Sequence, residues 1–213
     1  DFLELLQSPD RSLPHLALID CVLDALVHGQ SMPSLATALG DVVRDNRFWS
    51  GSRKTALFIL ASFSSDHGTW DSLLRILGDV HSGAIEDLED ELLGTLLKAL
   101  YPNHIAPTAI WHYFRKPKSD SLFGAYWKFW YDFAREKTPD ANIPLLLDAL
   151  ADSGYQLANT HDTLRAPQVI GQLIVRGVHL FGQTVDVERL HKWLMLGLSQ
   201  HFYSPLELEH KQS

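Results

Sequence analysis

Apolar residues recur at intervals of three and four along almost the whole chain. Leu16, Ile19, Leu23 and Leu26 form one such run, with Asp20 and Asp24 on the opposite side. That spacing predicts a helix with a single buried stripe. Ser12 and Pro14 suit its N-cap and first turn, and Gly29 stands where its C-cap would fall. The same reading predicts helices over 33–44, 52–63, 70–80 and 88–100, the last stopped by Pro102. Pro107 opens a short helix that ends before Lys116-Pro117-Lys118, and an aromatic helix over 121–135 stops at Pro139. Segments 143–151, 167–181 and 187–201 complete the set. No stretch alternates apolar and polar residues for six positions between turn signals, as a half-buried strand does.

The expected fold class is therefore all-α. Loops of about three to eight residues favour antiparallel neighbours, so the helix pairs form either a bundle or an α-solenoid. One α-helical domain over 1–213 is expected, with sub-blocks 1–152 and 153–213 meeting at the longest irregular stretch, 153–166. A first residue Asp1 and only two methionines suggest a piece excised from a longer protein.

Composition narrows the class without naming a chemistry. With 46% hydrophobic and 21% charged residues among 213, the chain is neither disordered, collagen-like nor a disulfide scaffold. Acidic residues outnumber basic ones 26 to 18, a net charge of −8, which repels phosphate backbones on average. The single cysteine, Cys21, has no internal disulfide partner and implies a reducing compartment. No basic-flanked leader is present, and the longest apolar run, 170–181, is broken by Gln172, Arg176 and His179. A cytoplasmic location and no membrane partner are expected.

Each candidate chemistry meets a simpler structural reading. Gly51-Ser52-Arg53-Lys54-Thr55 ends like a phosphate loop, but Phe48 and Arg53 stand where that loop needs glycines. It reads as a helix N-terminus. Eleven histidines raise the question of a metal, yet no His-x-x-x-His pair occurs, so no metal or other cofactor is expected. Cys21 sits among apolar and acidic neighbours, which points to a core or boundary cysteine rather than a nucleophile. The run Glu86, Asp87, Glu89, Asp90, Glu91 precedes and enters a predicted helix, where negative charge offsets the macrodipole. No catalytic residue emerges, and the chain is not read as an enzyme.

Residues 115–137 are the most distinctive segment. Six basic residues there oppose three acidic ones, interleaved with seven aromatic side chains. Phe123, Trp127, Trp130 and Ala134 fall four, three and four apart, the spacing of a buried helical stripe. The basic positions Arg115, Lys116, Lys118 and Lys128 are the candidate partner-binding set. Basic residues among aromatics can also bind single-stranded nucleic acid by stacking and phosphate contact, which is the alternative reading.

Two stretches carry a family resemblance. Arg53-Lys54-Thr55-Ala56 is similar to the Arg-x-x-Ala opening of the second helix of a HEAT repeat. In those repeats an Asp of the preceding turn usually meets the Arg, and here Asp45 stands slightly further upstream. Residues 90–102 (DELLGTLLKALYP), with 110–114 (IWHYF), 122–130 (LFGAYWKFW) and 187–194 (VERLHKWL), resemble the helical region of large bacterial NACHT-like (STAND-class) NTPases. The resemblance implies a short HEAT-like α-solenoid or superhelical bundle, excised from beside an NTPase module. It further implies a non-catalytic scaffold or sensor arm in defence or signalling. The partner would be that NTPase module or another protein, and the resemblance transfers no active-site residue.

Overall fold

The computed structural model describes residues 2–63, 67–118, 124–153 and 166–201. The described residues form α-helices without a strand. The helices are α1 (Phe2–Gln7), α2 (Leu13–His28), α3 (Ala36–Arg44), α4 (Ser50–Ser62), α5 (His67–Ser82), α6 (Glu91–Leu100), α7 (Ala125–Asp132), α8 (Ile143–Asp152), α9 (Ala166–Phe181) and α10 (Val187–His201). The chain divides into two compact units, 1–104 with 117–129, and 105–116 with 130–213. The expected joint at 153–166 falls within the second unit, and 154–165 lie outside the described residues.

In the first unit α2 runs from Ser12 to Gly29 and buries Leu16, Ile19, Val22, Leu23 and Leu26. Ser12 occupies the cap position, but its hydroxyl bonds to Asp10 Oδ2 (3.1 Å) instead of a helix amide. Cys21 corrects an expectation: it is exposed, because the buried stripe of α2 leaves position 21 on the outer face. The segment 33–44 splits into a 3-10 turn, Pro33–Leu35, followed by α3. Helix α6 begins at Glu91, later than the expected 88, because Asp90 is left-handed (φ 57°) and breaks the turn before it.

Packing in this unit follows chain order. Neighbouring helices pack as α3 with α4, α4 with α5, and α5 with α6. Next-but-one helices pack as α1 with α3, α2 with α4, α3 with α5, and α4 with α6. Their shared core includes the fully buried Leu39, Leu57, Leu60, Ile76, Leu93 and Leu96. Gly94 lets α6 approach the first turn of α7 closely: a Cβ there would lie 2.0 Å from the Tyr126 backbone nitrogen. Phe129, on α7, meets Tyr101 edge to face at 6.3 Å.

In the second unit α8, α9 and α10 pack against one another. Helix α9 also packs on a π-helical turn, Phe133–Lys137, that continues α7. The helix expected after Pro107 is only a 3-10 turn, Ile110–Tyr113. From that turn Trp111 donates Nε1 to the Leu146 carbonyl (2.9 Å) and joins Phe114, Trp130 and Phe133 in an aromatic cluster. The aromatic stripe is buried as its spacing implied, with Trp127, Trp130 and Ala134 inside; Phe123 lies outside the described residues. No helix among the described residues is long and apolar enough to cross a membrane.

Candidate functional site

The polar groups of the first unit that lose most water brace one helix against the next. Arg53, in the second turn of α4, is buried and donates Nε to the Val43 carbonyl (2.9 Å) and Nη2 to the Glu86 carbonyl (2.8 Å). Burial pulls its pKa down. Asp45 does not bond to Arg53; it accepts from Arg47 and Arg11. The segment Gly51–Thr55 is the start of α4, with Ser52 donating to Asp20.

Asp87, Asp90 and Glu91 of the acidic run each accept a backbone amide. Asp87 turns back from the loop and accepts from the amides of Leu92 (3.2 Å) and Leu93 (2.8 Å), satisfying donors that an α-helix leaves open. Lys118 locks the same loop: its backbone amide donates to Asp90 Oδ2 (2.6 Å) and its Nζ to the Asp87 carbonyl (3.1 Å).

Two of these carboxylates have opposite pH signatures. The Arg47 hydrogen bond holds Asp45 far below the ordinary carboxylate range, whereas burial pushes Asp87 above it. Asp45 therefore contributes stability above the unfolded value near 3.8, and loses it as the pH falls. Asp87 protonates first in the folded chain, so its contribution is present below 3.8 and is lost as the pH rises through its raised folded value. Urea midpoints across the acid range should show Asp45→Asn flattening the acid-induced loss of stability, and Asp87→Asn steepening it above about pH 4. Parallel pH profiles for both variants and the parent would remove these assignments.

Comparable braces hold the second unit. Burial opposes ionisation of Asp148, but hydrogen bonds from Arg189 and from Trp193 Nε1 (2.9 Å) outweigh it and lower its pKa. Arg176 donates to the carbonyls of Ala134 (2.6 Å) and Thr138 (3.2 Å), tying α9 to the π-helical turn. Among the described residues no group of three or more His, Cys, Asp or Glu side chains is placed to hold a metal ion.

The four basic candidates have separate surroundings. Arg115 is half-buried and Lys116 exposed, both in the second unit. Lys118 serves the loop before α6. The aromatic rings near them, Tyr126, Trp127, Phe129, Trp130 and Phe133, are buried; Tyr131 is 41% exposed and carries the Arg135 guanidinium 4.2 Å from its ring centre.

Lys128 is different. It borders a concave surface of about 370 Å³ formed by α4, α6 and the start of α7 within the first unit. The floor is small and mostly apolar, with Ala61, Thr95, Ala99 and Ala125, and Phe58 stands at its side, 56% exposed. Lys54 and Lys98 complete the rim. Among the described residues no carboxylate lines this groove; Glu91, next to it, is engaged by Lys54 and by the Ala125 amide (2.8 Å).

Sequence reasoning named Lys128 but missed Lys54, Phe58 and Lys98 as its companions. A signal existed: Lys54, Phe58 and Ala61 fall four and three apart, a second stripe beside the buried Ala56, Leu57 and Leu60. Comparison of the chain with protein-family models, with curated proteins and with solved structures finds no match. The class that the structure defines is thus an all-helical protein.

Proposed function

We propose that this chain is a non-catalytic helical arm, HEAT-like in its stacking, that makes protein contacts within a larger bacterial NTPase of the NACHT-like (STAND) class. It serves there as a scaffold or sensor in the cytoplasm, in defence or signalling. The observation that carries this reading is the order of packing in the first unit, where α1, α3, α4 and α5 each pack on the next helix and α1 to α4 each pack on the next but one. Such short-range packing is what stacked helical repeats use, and it lets a displacement at one end bias the other. Arg53 supports the likeness in position, since it bridges α3 to the loop before α6 as a repeat-joining arginine would.

The test begins with the coding sequence upstream of Asp1. A phosphate-binding loop followed by an acidic strand is expected there. The 213-residue chain alone should then show no ATP turnover, while its deletion from the full protein should change the turnover that remains. A native chain that begins close to Asp1 would remove the NTPase from the proposal.

A further inference from the structure

We infer that the groove between α4, α6 and the start of α7 is a docking site for an acidic amphipathic helix. This rests on the protein-contact reading and names the chemistry of the partner. Three properties converge on it. The floor is built from small residues, Ala61, Thr95, Ala99 and Ala125, so the backbone of an incoming helix can approach closely. Phe58 offers a large apolar side chain to water, an anchor with no helix of its own unit covering more than about half of it. The rim consists of Lys54, Lys98 and Lys128, all exposed, on a chain whose net charge is −8.

Charge complementarity selects the occupant. Lysine stems can lie along the apolar floor while their ammonium groups remain in water at the edge. A helix that turns leucine-type residues toward Phe58 places glutamates on either side of that face, within reach of the rim. Glu91 pairs with Lys54, and the three lysines together set the sign of the charge along the rim. A long polyanion such as RNA would meet the acidic remainder of the molecule as well, and among the described residues a single exposed ring, Phe58, lines the groove to stack on a base. A short acidic helix meets only the local charge.

The experiment uses the 213-residue chain and labelled synthetic peptides of roughly 18 residues, long enough to hold a helix. Their apolar anchors (Leu, Phe or Trp) repeat at helical spacing and glutamates flank them; control peptides carry lysine in place of glutamate. Fluorescence anisotropy should show saturable binding of an acidic peptide that weakens as salt is raised. Phe58→Ala should weaken it about tenfold or more, and so should Lys98→Glu combined with Lys128→Glu. These positions are exposed, so helical circular dichroism should be unchanged and a binding loss is not a folding loss.

Equal binding of the lysine peptides, indifference to Phe58→Ala, or no binding of any acidic peptide at millimolar concentration would overturn the inference. So would preferential binding to phosphatidylserine vesicles, or self-association of the chain that the same substitutions abolish, because each assigns the groove to another occupant. Failure here with an NTPase module found upstream leaves the arm reading intact. Groove binding without such a module removes the NTPase and keeps the docking site.

Discussion

Gly94→Ala is expected to cost the protein about 3 kcal/mol or more, measured as a fall in the urea midpoint. In an exposed helix interior the same change stabilises by about 0.5–1 kcal/mol, since alanine loses less backbone freedom on folding. Here the added methyl would lie 2.0 Å from the Tyr126 nitrogen and 2.2 Å from the Ala125 carbonyl carbon. These are backbone atoms, so no rotamer change relieves the clash, and α6 must move away from α7. That displacement also strains the contact between Tyr101 and Phe129, which follow on the same two helices. Gly78→Ala in α5 is the control: nothing lies within 4 Å of its Cβ position, and it should stabilise slightly. Equal behaviour of the two variants would show that α6 and α7 do not cross at Gly94.

Trp130→Ala should cost about 3–5 kcal/mol through the cavity it leaves. The indole is 5% exposed. It lies parallel to Trp111 at 6.2 Å and edge-on to Phe114 at 4.2 Å and Phe133 at 5.0 Å. Rings in such arrangements add to area burial, so Trp130→Phe should retain part of the stability and fall between parent and alanine variant. The readout is denaturation followed by far-ultraviolet circular dichroism. An unchanged midpoint for Trp130→Ala would put the ring in solvent, and the basic-aromatic segment would then be available for base stacking.

Much of the helical framework was legible because a helix advertises itself locally. A residue every 3.6 positions on one face is a property of the segment alone, so α2, α4, α8, α9 and α10 fall close to their expected bounds. The burial of Trp127, Trp130 and Ala134 was legible for the same reason. Errors arose where a distant group decided the local outcome. Apolar spacing placed the start of α6 at Leu88, but Asp87 caps the helix from a loop that Lys118 and Arg53 hold in place. Cys21 was read from its sequence neighbours, whereas the outer face of α2 decides its exposure.

The candidate site divides in the same way. Basic residues interleaved with aromatics put Lys128 in the candidate set beside Arg115, Lys116 and Lys118. The association of Lys128 with Lys54, Phe58 and Lys98 depends on which faces of α4, α6 and α7 are brought side by side. That choice follows from the glycine contact at Gly94 and the packing of α4 on α6, both between residues far apart in the chain. The sequence by itself determined an acidic, all-helical protein and the buried face of most of its helices, because those follow from composition and from a short period. Only the tertiary structure decided which loop carboxylate caps α6 and which lysines share a groove, because both depend on helix-to-helix approach, which no local period encodes.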